Sequence, residues 1–241
     1  MEEKRRGQAP RGKGSGILGI LTATCWILLG ITLIIRLTAG DGGYLAARMR
    51  AHASPAETGL PEAEYPGMGR MTADFLTGRT DVFQYRFTDS RGVLRECFHS
   101  YEADHMKDVR GLIRTDETAA WAAGAAVLLL PLVHRLMPGR DRRRFFRGII
   151  TGIRIVLGIG ILLGIWAALD FDGFFVTFHR IAFTNEGWLL NPATDMLIRL
   201  MPIDFFISLG IRGLGLALLW TAAADIGARL ALRAGRKSRN E

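Results

Sequence analysis

Residues 148–169 read GIITGIRIVLGIGILLGIWAAL, a run in which Arg154 is the single charged side chain. A helix needs about 20 apolar residues to cross the hydrocarbon core of a bilayer, so this run predicts a transmembrane helix. Three further runs of similar character cover residues 16–37, 118–137 and 203–224. The hydrophobic fraction of 49% is also high for a soluble domain. The sequence therefore predicts a membrane protein with four transmembrane helices.

The first run admits a second interpretation, because a basic segment precedes it and Leu37-Thr38-Ala39-Gly40 resembles a signal-peptide cleavage site. Its apolar core is longer than that of a typical signal peptide, and we therefore expect a retained helix. The run at 118–137 contains Pro131 and much alanine, which weakens its hydropathy signal. Neighbouring helices can satisfy the backbone group that such a proline frees.

Basic residues cluster beside the predicted helices and indicate the topology. The chain has 31 Lys and Arg against 23 Asp and Glu, a formal net charge of +8. Short loops rich in Lys and Arg stay in the cytoplasm, so both termini are expected there. Because every cluster adjoins a helix, anionic inner-leaflet lipid explains the charge better than a nucleic acid, and no nucleic-acid partner is expected. The clusters are Lys4, Arg5, Arg6, Arg11 and Lys13; Arg135, Arg140, Arg142, Arg143, Arg144 and Arg147; and Arg229, Arg233, Arg236, Lys237 and Arg239.

These signals divide the chain into nine segments and predict an all-α membrane domain with a small α+β cap outside the cytoplasm. In order they are a cytoplasmic basic tail (1–15), transmembrane helix 1 (16–37), an extracytoplasmic cap (38–117), transmembrane helix 2 (118–137), a cytoplasmic basic loop (138–147), transmembrane helix 3 (148–169), a second extracytoplasmic segment (170–202), transmembrane helix 4 (203–224) and a cytoplasmic basic tail (225–241).

The predicted cap contains a β-hairpin and the start of a helix. Its first part, Gly40 to Pro66, is rich in Gly and Pro and is expected to be irregular. From Asp81, DVFQYRF alternates in polarity, and the turn at 88–92 precedes VLRECF, which is typical of a β-hairpin. Ser100 is a suitable cap for a helix that leads directly into the second apolar run.

The second outer segment predicts two helical stretches. Phenylalanines at offsets of three, four and seven predict that the third helix continues with an aromatic face; they are Phe171, Phe174, Phe175 and Phe178. Asn191-Pro192 resembles an N-cap and first helical position, which predicts a short amphipathic helix containing Met196 and Leu200. Pro202 then separates that helix from the fourth apolar run.

Two histidines in the outer segments are candidates for acid–base chemistry. An imidazole titrates near neutrality, so His105 and His179 can exchange protons with a substrate. Glu102 and Asp108 stand three residues before and after His105, where either carboxylate can orient it. The alternative is that the histidines are solvated or hydrogen-bonded surface groups and that the phenylalanines form an aromatic belt. His99 and His105 lack a third ligand at a supporting spacing, so neither a metal nor a cofactor is expected.

Further polar residues near the predicted membrane boundary require partners. Asn185, Trp188 and Asp195 are difficult to explain as an aromatic belt and are candidates for substrate contact. Within the apolar runs, Arg154 is expected to pair with Asp225. Arg212 is expected to meet Asp170, Asp172 or a lipid headgroup. Gly148 and Gly152 permit close helix packing.

Two groups of residues carry a resemblance to a known family. The first is Asp104-His105-Met106-Lys107-Asp108-Val109-Arg110; the second is Phe178-His179, Phe183, Asn185, Trp188, Pro192, Asp195, Leu197-Ile198, Pro202 and Phe205-Phe206. With their topological positions, they resemble a family of four-helix bacterial integral membrane proteins that includes the lipoprotein intramolecular transacylase, Lit. The similarity covers most of the chain from the first apolar run to the fourth.

The resemblance implies an enzyme of the bacterial cytoplasmic membrane whose active site faces the extracytoplasmic side. It implies that His105 and His179 are catalytic and makes residues 170–202 a catalytic segment. The implied reaction moves the sn-2 acyl chain of a lipoprotein's S-diacylglyceryl cysteine to that cysteine's α-amino group. Phe175, Phe178 and Trp188 are then candidate walls of the substrate pocket. The implied partners are diacylated lipoproteins and membrane lipid.

A different class of function is a non-enzymatic membrane scaffold, or a transport component, with a partner-binding cap. For transport, Arg154 and Arg212 would be pathway charges. The four runs show no evident inverted repeat, which argues against a transporter. For a scaffold, both histidines would be dispensable.

Overall fold

Four long helices form the framework of the computed structural model, which describes residues 13–89 and 91–237. They are α1 (Lys13–Ala39), α5 (Ser100–Leu136), α6 (Arg142–Leu169) and α9 (Ile203–Lys237). Each is long and apolar enough to cross a membrane. Together with a small two-stranded antiparallel sheet, they confirm the predicted fold class. Lys4, Arg5, Arg6, Arg11, Arg239 and the turn residue Ser90 lie outside the described residues.

The helix α5 is longer than a membrane requires. At about 1.5 Å per residue its 37 residues span roughly 55 Å, against a hydrocarbon core of about 30 Å. Its apolar part begins near residue 118, so residues 100–117 lie before the membrane-spanning part. As expected, the helix that carries His105 continues without a break into the second apolar run.

The remaining elements are shorter. They are the helices α2 (Gly42–His52), α3 (Pro55–Thr58), α4 (Tyr65–Leu76), α7 (Phe171–Ala182) and α8 (Met196–Leu200), a 3₁₀ turn (Glu62–Glu64), and the strands β1 (Arg86–Thr88) and β2 (Leu94–Glu96).

The chain forms two compact units. Among the described residues, the first comprises 13–30, 119–163 and 217–237. Within it, the backbones of α1 and α6 approach closely at glycine residues. A side chain at Gly148 would collide with the carbonyl of Gly16, and one at Gly152 would meet Ile20 and Ala23. The expectation of close packing at Gly148 and Gly152 is therefore confirmed.

A pair of tryptophans joins α1 to α9 within the first unit. The rings of Trp26 and Trp220 stack with centroids 4.5 Å apart, and each indole N–H donates to the other residue's carbonyl oxygen, at 3.3 and 2.8 Å. Away from water, paired donors of this kind add to helix association. In the same unit Asp225 binds Arg229, so the expected pairing of Asp225 with Arg154 is wrong.

The second unit comprises residues 31–118 and 164–216, and it contains the main buried core. Fully buried side chains at its centre come from α2, α4, α8 and α9 and from the loop that follows α3. They include Met49, Leu60, Tyr65, Met68, Phe75, Leu200 and Phe205.

The expectation that residues 40–66 are irregular is wrong, because most of them are helical. The Asp41 side chain accepts from the Tyr44 N–H and caps α2, and Ser54 and Glu57 form a capping box on α3. Gly42 and Gly69 do not break helices here. They allow α2 and α4 to touch, since a side chain at Gly69 would collide with Ala46 and with the carbonyl of Gly42.

The predicted hairpin is present but its strands are short. β1 pairs antiparallel with β2, with Arg86 opposite Glu96 and Thr88 opposite Leu94. Gln84 extends the connection with side-chain bonds, since its amide donates to the Phe98 carbonyl and its oxygen accepts from the Cys97 N–H.

The second outer segment differs from its prediction in two places. The third long helix does not continue through the phenylalanines: α6 ends at Leu169, and Asp170 caps α7 by accepting from the Gly173 N–H. The short helix does not begin at Asn191-Pro192. The Asn191 side chain instead accepts from the Ala193 N–H in a turn, and α8 begins at Met196. Pro202 separates α8 from α9, as predicted.

Arg212 does not meet Asp170 or Asp172 as expected. Its guanidinium forms an ion pair with Asp41 at 2.9 Å and lies over the Tyr44 ring at 4.0 Å from the centroid. This charge therefore fastens the start of α2 to α9.

Candidate active site

The second unit brings the two candidate histidines together. His105 lies on the second turn of α5, and His179 lies near the end of α7. Their ring centroids are 6.1 Å apart, and the exposed fractions are 8% and 7%. Two hydrogen bonds to one shared atom span up to about 6 Å, so both imidazoles can reach a common substrate group. Because both rings are buried, neither histidine is a solvated surface group.

Aromatic rings enclose His179. Phe175 is closest, with centroids 4.1 Å apart; Trp188 follows at 5.0 Å, and Phe178 and Phe183 are both at 5.4 Å. The candidates Phe175, Phe178 and Trp188 thus contact the histidine itself. Such rings fix the imidazole plane and keep water from its faces.

Phe183 was not selected as a site residue from the sequence, yet it touches both histidines. Its ring meets the edge of His105 with centroids 5.1 Å apart, as well as contacting His179. It follows His179 by four residues, a spacing that places side chains on one helix face. That spacing was the signal in the sequence that could have identified it.

A backbone hydrogen bond fixes the tautomer of His179. Its Nδ1 lies 2.8 Å from the carbonyl oxygen of Phe175. A carbonyl oxygen can only accept, so Nδ1 carries the proton and Nε2 keeps its lone pair. Burial lowers the pKa of His179, although this bond opposes the shift. His179 is therefore a neutral imidazole with its basic nitrogen defined.

His105 is held differently. Its Nδ1 is buried and has no hydrogen-bond partner within the described part of the chain. Burial lowers the pKa of His105 to about 4; the nearby His179 adds to this shift and the charge of Asp108 opposes it. His105 is thus neutral at pH 7 and a much weaker base than a solvated histidine.

Asp108 and Asn185 bind each other. The Asn185 amide donates to the Asp108 carboxylate at 2.9 Å, and its oxygen accepts from the Gly187 N–H at 2.9 Å. Asp108 therefore acts on His105 by charge, while Asn185 ties the loop at 183–195 to α5. That loop carries Trp188 over His179.

Glu102 is fully buried and does not hydrogen-bond to His105. One carboxylate oxygen accepts from the His99 N–H, and the other accepts from the Leu197 N–H, both at 2.7 Å. The first bond caps α5 and the second caps α8. Glu102 therefore joins the start of the helix that carries His105 to the start of α8.

Asp195 also connects the residues before α8 to the start of α5. Its carboxylate accepts from the Tyr101 hydroxyl at 2.7 Å, the Asn191 N–H at 2.8 Å and the Thr194 hydroxyl at 2.6 Å. Burial raises the pKa of Asp195, but these hydrogen bonds outweigh it and hold the pKa below its usual range. The hydrogen bond to Asp195 raises the pKa of the Tyr101 hydroxyl to about 12. We call Glu102 and Asp195, with these partners, the carboxylate clamp.

Apolar side chains near the histidines remain exposed. Phe178 is 51% exposed, Ile181 on the same helix 81%, and Leu189 in the following loop 61%. Such a group is typical of contact with lipid or another apolar partner. His99 stacks on Tyr101, and no three His, Cys, Asp or Glu side chains among residues 13–89 and 91–237 are grouped to hold a metal ion.

Comparison with known proteins decides the family. The family described as "Lipoprotein intramolecular transacylase Lit" matches residues 20–206, more than three quarters of the chain. The chain belongs to the Lit family. A comparison with curated protein sequences gives no match.

Solved structures of a Lit protein share this fold. The lipoprotein intramolecular transacylase Lit from Bacillus cereus superposes with a TM-score of 0.71 at 14% identity, covering 92% of this chain and 98% of that one. A variant of it with one histidine replaced by arginine gives 0.69 at 15% identity, covering 93% and 94%. At this identity the likeness supports the fold of this Lit family member, and the roles of its residues rest on their own geometry.

Proposed function

We propose that this protein is an intramolecular transacylase. It moves the sn-2 acyl chain of a lipoprotein's S-diacylglyceryl cysteine to the α-amino group of the same cysteine. The observation that carries the proposal is the buried, neutral histidine pair enclosed by aromatic rings, in a member of the Lit family. The products are an N-acyl group and an S-monoacylglyceryl group on one cysteine.

The reaction requires one proton transfer and no external donor. The amine nitrogen attacks the ester carbonyl, the bond from that carbon to the glyceryl oxygen breaks, and an amide bond forms. The proton lost by the nitrogen ends on the glyceryl oxygen. Holding the amine and the ester of one molecule together supplies much of the acceleration, since well-oriented groups gain up to about 7–11 kcal/mol.

His179 is the proton carrier in this proposal. Its Nδ1 proton is engaged with the Phe175 carbonyl, which leaves Nε2 to accept the proton from the amine. The same carbonyl stabilises the imidazolium that forms. His179 can then return the proton to the departing glyceryl oxygen, as microscopic reversibility allows for a single acid–base group.

His105 has the complementary role of a neutral donor. Because its pKa is about 4, it stays uncharged beside an imidazolium and donates its N–H to the oxyanion of the tetrahedral intermediate. A histidine kept neutral by a lowered pKa is a known electrophile in enzymes. The two roles follow from the different surroundings of the two rings, because His179 Nδ1 has a backbone acceptor and His105 Nδ1 has no partner among the described residues.

The exposed apolar side chains of Phe178, Ile181 and Leu189 fit a substrate that enters from the membrane. Acyl chains can remain in lipid beside these side chains while the glyceryl unit reaches the histidines. The basic loops favour an active site on the extracytoplasmic side, with both termini in the cytoplasm. Diacylated lipoproteins and membrane lipid are the partners of this proposal.

The test uses a bacterial host whose lipoproteins are diacylated. Wild-type chain should yield lipoproteins that are N-acylated and have lost one glyceryl chain, as identified by tandem mass spectrometry. His179→Gln and His105→Gln should each reduce conversion by at least about 100-fold. The matched control is His52→Gln, which alters a histidine of α2 outside the pair.

Two results would count against the proposal. Unchanged lipoproteins with well-expressed wild type would reject the activity and favour a scaffold or transport component. Full conversion by both histidine variants would reject the assigned site.

A further inference from the structure

A polar cavity of about 230 Å³ lies in the second unit, between the ends of α1 and α4 and the early turns of α5. Its charged lining consists of Arg36, Arg110, Arg114 and Glu117. Three arginines against one glutamate leave a formal charge of +2. Neither histidine of the candidate active site lines this cavity, so it is a separate feature.

An ion pair shows that the cavity lies where the apolar runs of two helices end. Arg36 binds Glu117 at 2.9 Å. Arg36 stands at the end of the apolar run of α1, and Glu117 immediately precedes the apolar run of α5 at residue 118. The pair therefore joins two helices where each passes from apolar to polar sequence, which is the level of lipid headgroups.

Arg110 carries an unsatisfied donor at this cavity. Its residue is only 8% exposed, and its Nε is buried without a hydrogen-bond partner among the described residues. The other guanidinium nitrogens donate to the Thr80 carbonyl at 3.1 Å and to Asp81 at 2.9 Å. A buried guanidinium whose hydrogen bonds are incomplete costs free energy, and Arg110 therefore brings an incompletely satisfied positive charge to the wall of the cavity.

The nearby acids only partly neutralise the arginines. The side chain of Asp81 is 90% exposed, so water screens its charge. Burial raises the pKa of Asp116, which lies before the membrane-spanning part of α5, and Arg36 opposes that shift. Arg114 is in none of the ion pairs formed among residues 13–89 and 91–237. Arg114 is thus without an acidic partner, and Arg110 has only the exposed Asp81.

We infer that this cavity binds a phosphate group, with the headgroup of a membrane phospholipid as its source. Arginine suits phosphate because its planar fork donates two parallel hydrogen bonds to phosphate oxygens. Basic pockets between transmembrane helices bind anionic headgroups in the same way. The inference goes beyond the proposed acyl transfer, because the diacylglyceryl cysteine substrate carries no phosphate.

The test titrates purified full-length protein in detergent with three probes and follows the thermal unfolding midpoint. The probes are dihexanoyl phosphatidylglycerol, dihexanoylglycerol, which has the same chains without phosphate, and inorganic phosphate. A ligand that binds only the folded state raises the midpoint in a saturable manner. We expect this rise with the phospholipid and no rise with dihexanoylglycerol.

Three variants test which side chains form the binding site. Arg114→Gln should weaken phospholipid binding by about tenfold or more, since it removes a charge-assisted contact. Glu117→Gln should strengthen binding several-fold, because it removes the acid that competes for Arg36. Arg91→Gln makes the same charge change in the exposed hairpin turn and should leave binding unchanged.

The opposite signs of the first two variants separate a binding site from a general loss of folding. If inorganic phosphate alone reproduces the rise, with the same dependence on Arg114, the site stands and free phosphate is its ligand. Equal stabilisation by dihexanoylglycerol, or equal affinity in the Arg114 and Arg91 variants, would overturn the inference.

Discussion

Glu102 provides a severe test of how the active site is held together. Its carboxylate is fully buried and accepts two backbone N–H groups, one on each side of the carboxylate clamp. A hydrogen bond to a charged group contributes about 1.5–3 kcal/mol, so Glu102→Ala should destabilise the protein by about 3–6 kcal/mol. Glu102→Gln keeps one acceptor oxygen and should cost about half as much.

The buried thiol of Cys97 supplies the assay. Cys97 is 6% exposed, and burial raises its pKa to about 12, so it reacts with a thiol-specific dye only after the second unit unfolds. In a Cys25→Ser background the dye reports Cys97 alone, because these are the two cysteines of the chain. The matched control is Glu96→Gln, which removes an exposed ion pair with Arg86 and should cost under about 1 kcal/mol.

The clamp also predicts an effect on activity. Glu102 contacts no substrate in the proposal, but it sets the position of the α5 start relative to α8. Folded Glu102→Gln protein should therefore convert substrate more slowly than the Glu96→Gln control at the same temperature. A free energy of unfolding for Glu102→Ala within about 1 kcal/mol of wild type would refute the clamp.

The pKa of His105 is about 4 in the fold against an ordinary 6.5, so unfolding binds a proton below pH 6.5. Stability should thus fall by about 3 kcal/mol between pH 6.5 and pH 4, and His105→Gln should remove that part of the pH dependence in unfolding titrations. Trp220→Phe removes the N–H that donates to the Trp26 carbonyl and should lower the free energy of unfolding by about 1 kcal/mol. Asn185→Ala releases the loop from Asp108 and should raise KM about fivefold with little change in kcat, as steady-state kinetics would show.

The framework of the fold was accessible from the sequence because its signals are local. An apolar run of membrane length is a property of consecutive residues, and so is a cluster of arginines beside it. The break between α5 and α6, the hairpin and the separation of α8 from α9 at Pro202 follow from signals of the same kind.

The helices of residues 42–76 were missed because a glycine indicates irregular chain when only its neighbours are considered. Here its role depends on contact with another helix. Gly42 lies in the stretch that was expected to be irregular, yet it is a point at which α2 touches Gly69 of α4. Nothing in the neighbouring residues distinguishes a glycine that ends a helix from one that admits another helix.

The candidate site also has a part that could be predicted from the sequence and a part that could not. The prediction named both histidines and three of the four aromatic residues around His179, since these are unusual residue types in a connector. The part played by Glu102 could not be predicted, because its second partner, the Leu197 N–H, lies 95 residues away. The different hydrogen bonding of the two histidines likewise depends on tertiary contacts.

The most direct test of the account uses purified protein in lipid vesicles and a synthetic lipopeptide whose sn-2 acyl chain carries deuterium. Intramolecular transfer produces an isomer, so the intact mass of the lipopeptide should stay constant. Tandem mass spectrometry should find the deuterium on the N-terminal amide with wild-type protein and on the glyceryl ester with His179→Gln. A gain of one acyl mass, a loss of one acyl mass, or label that stays on the ester with wild-type protein would contradict the proposed reaction.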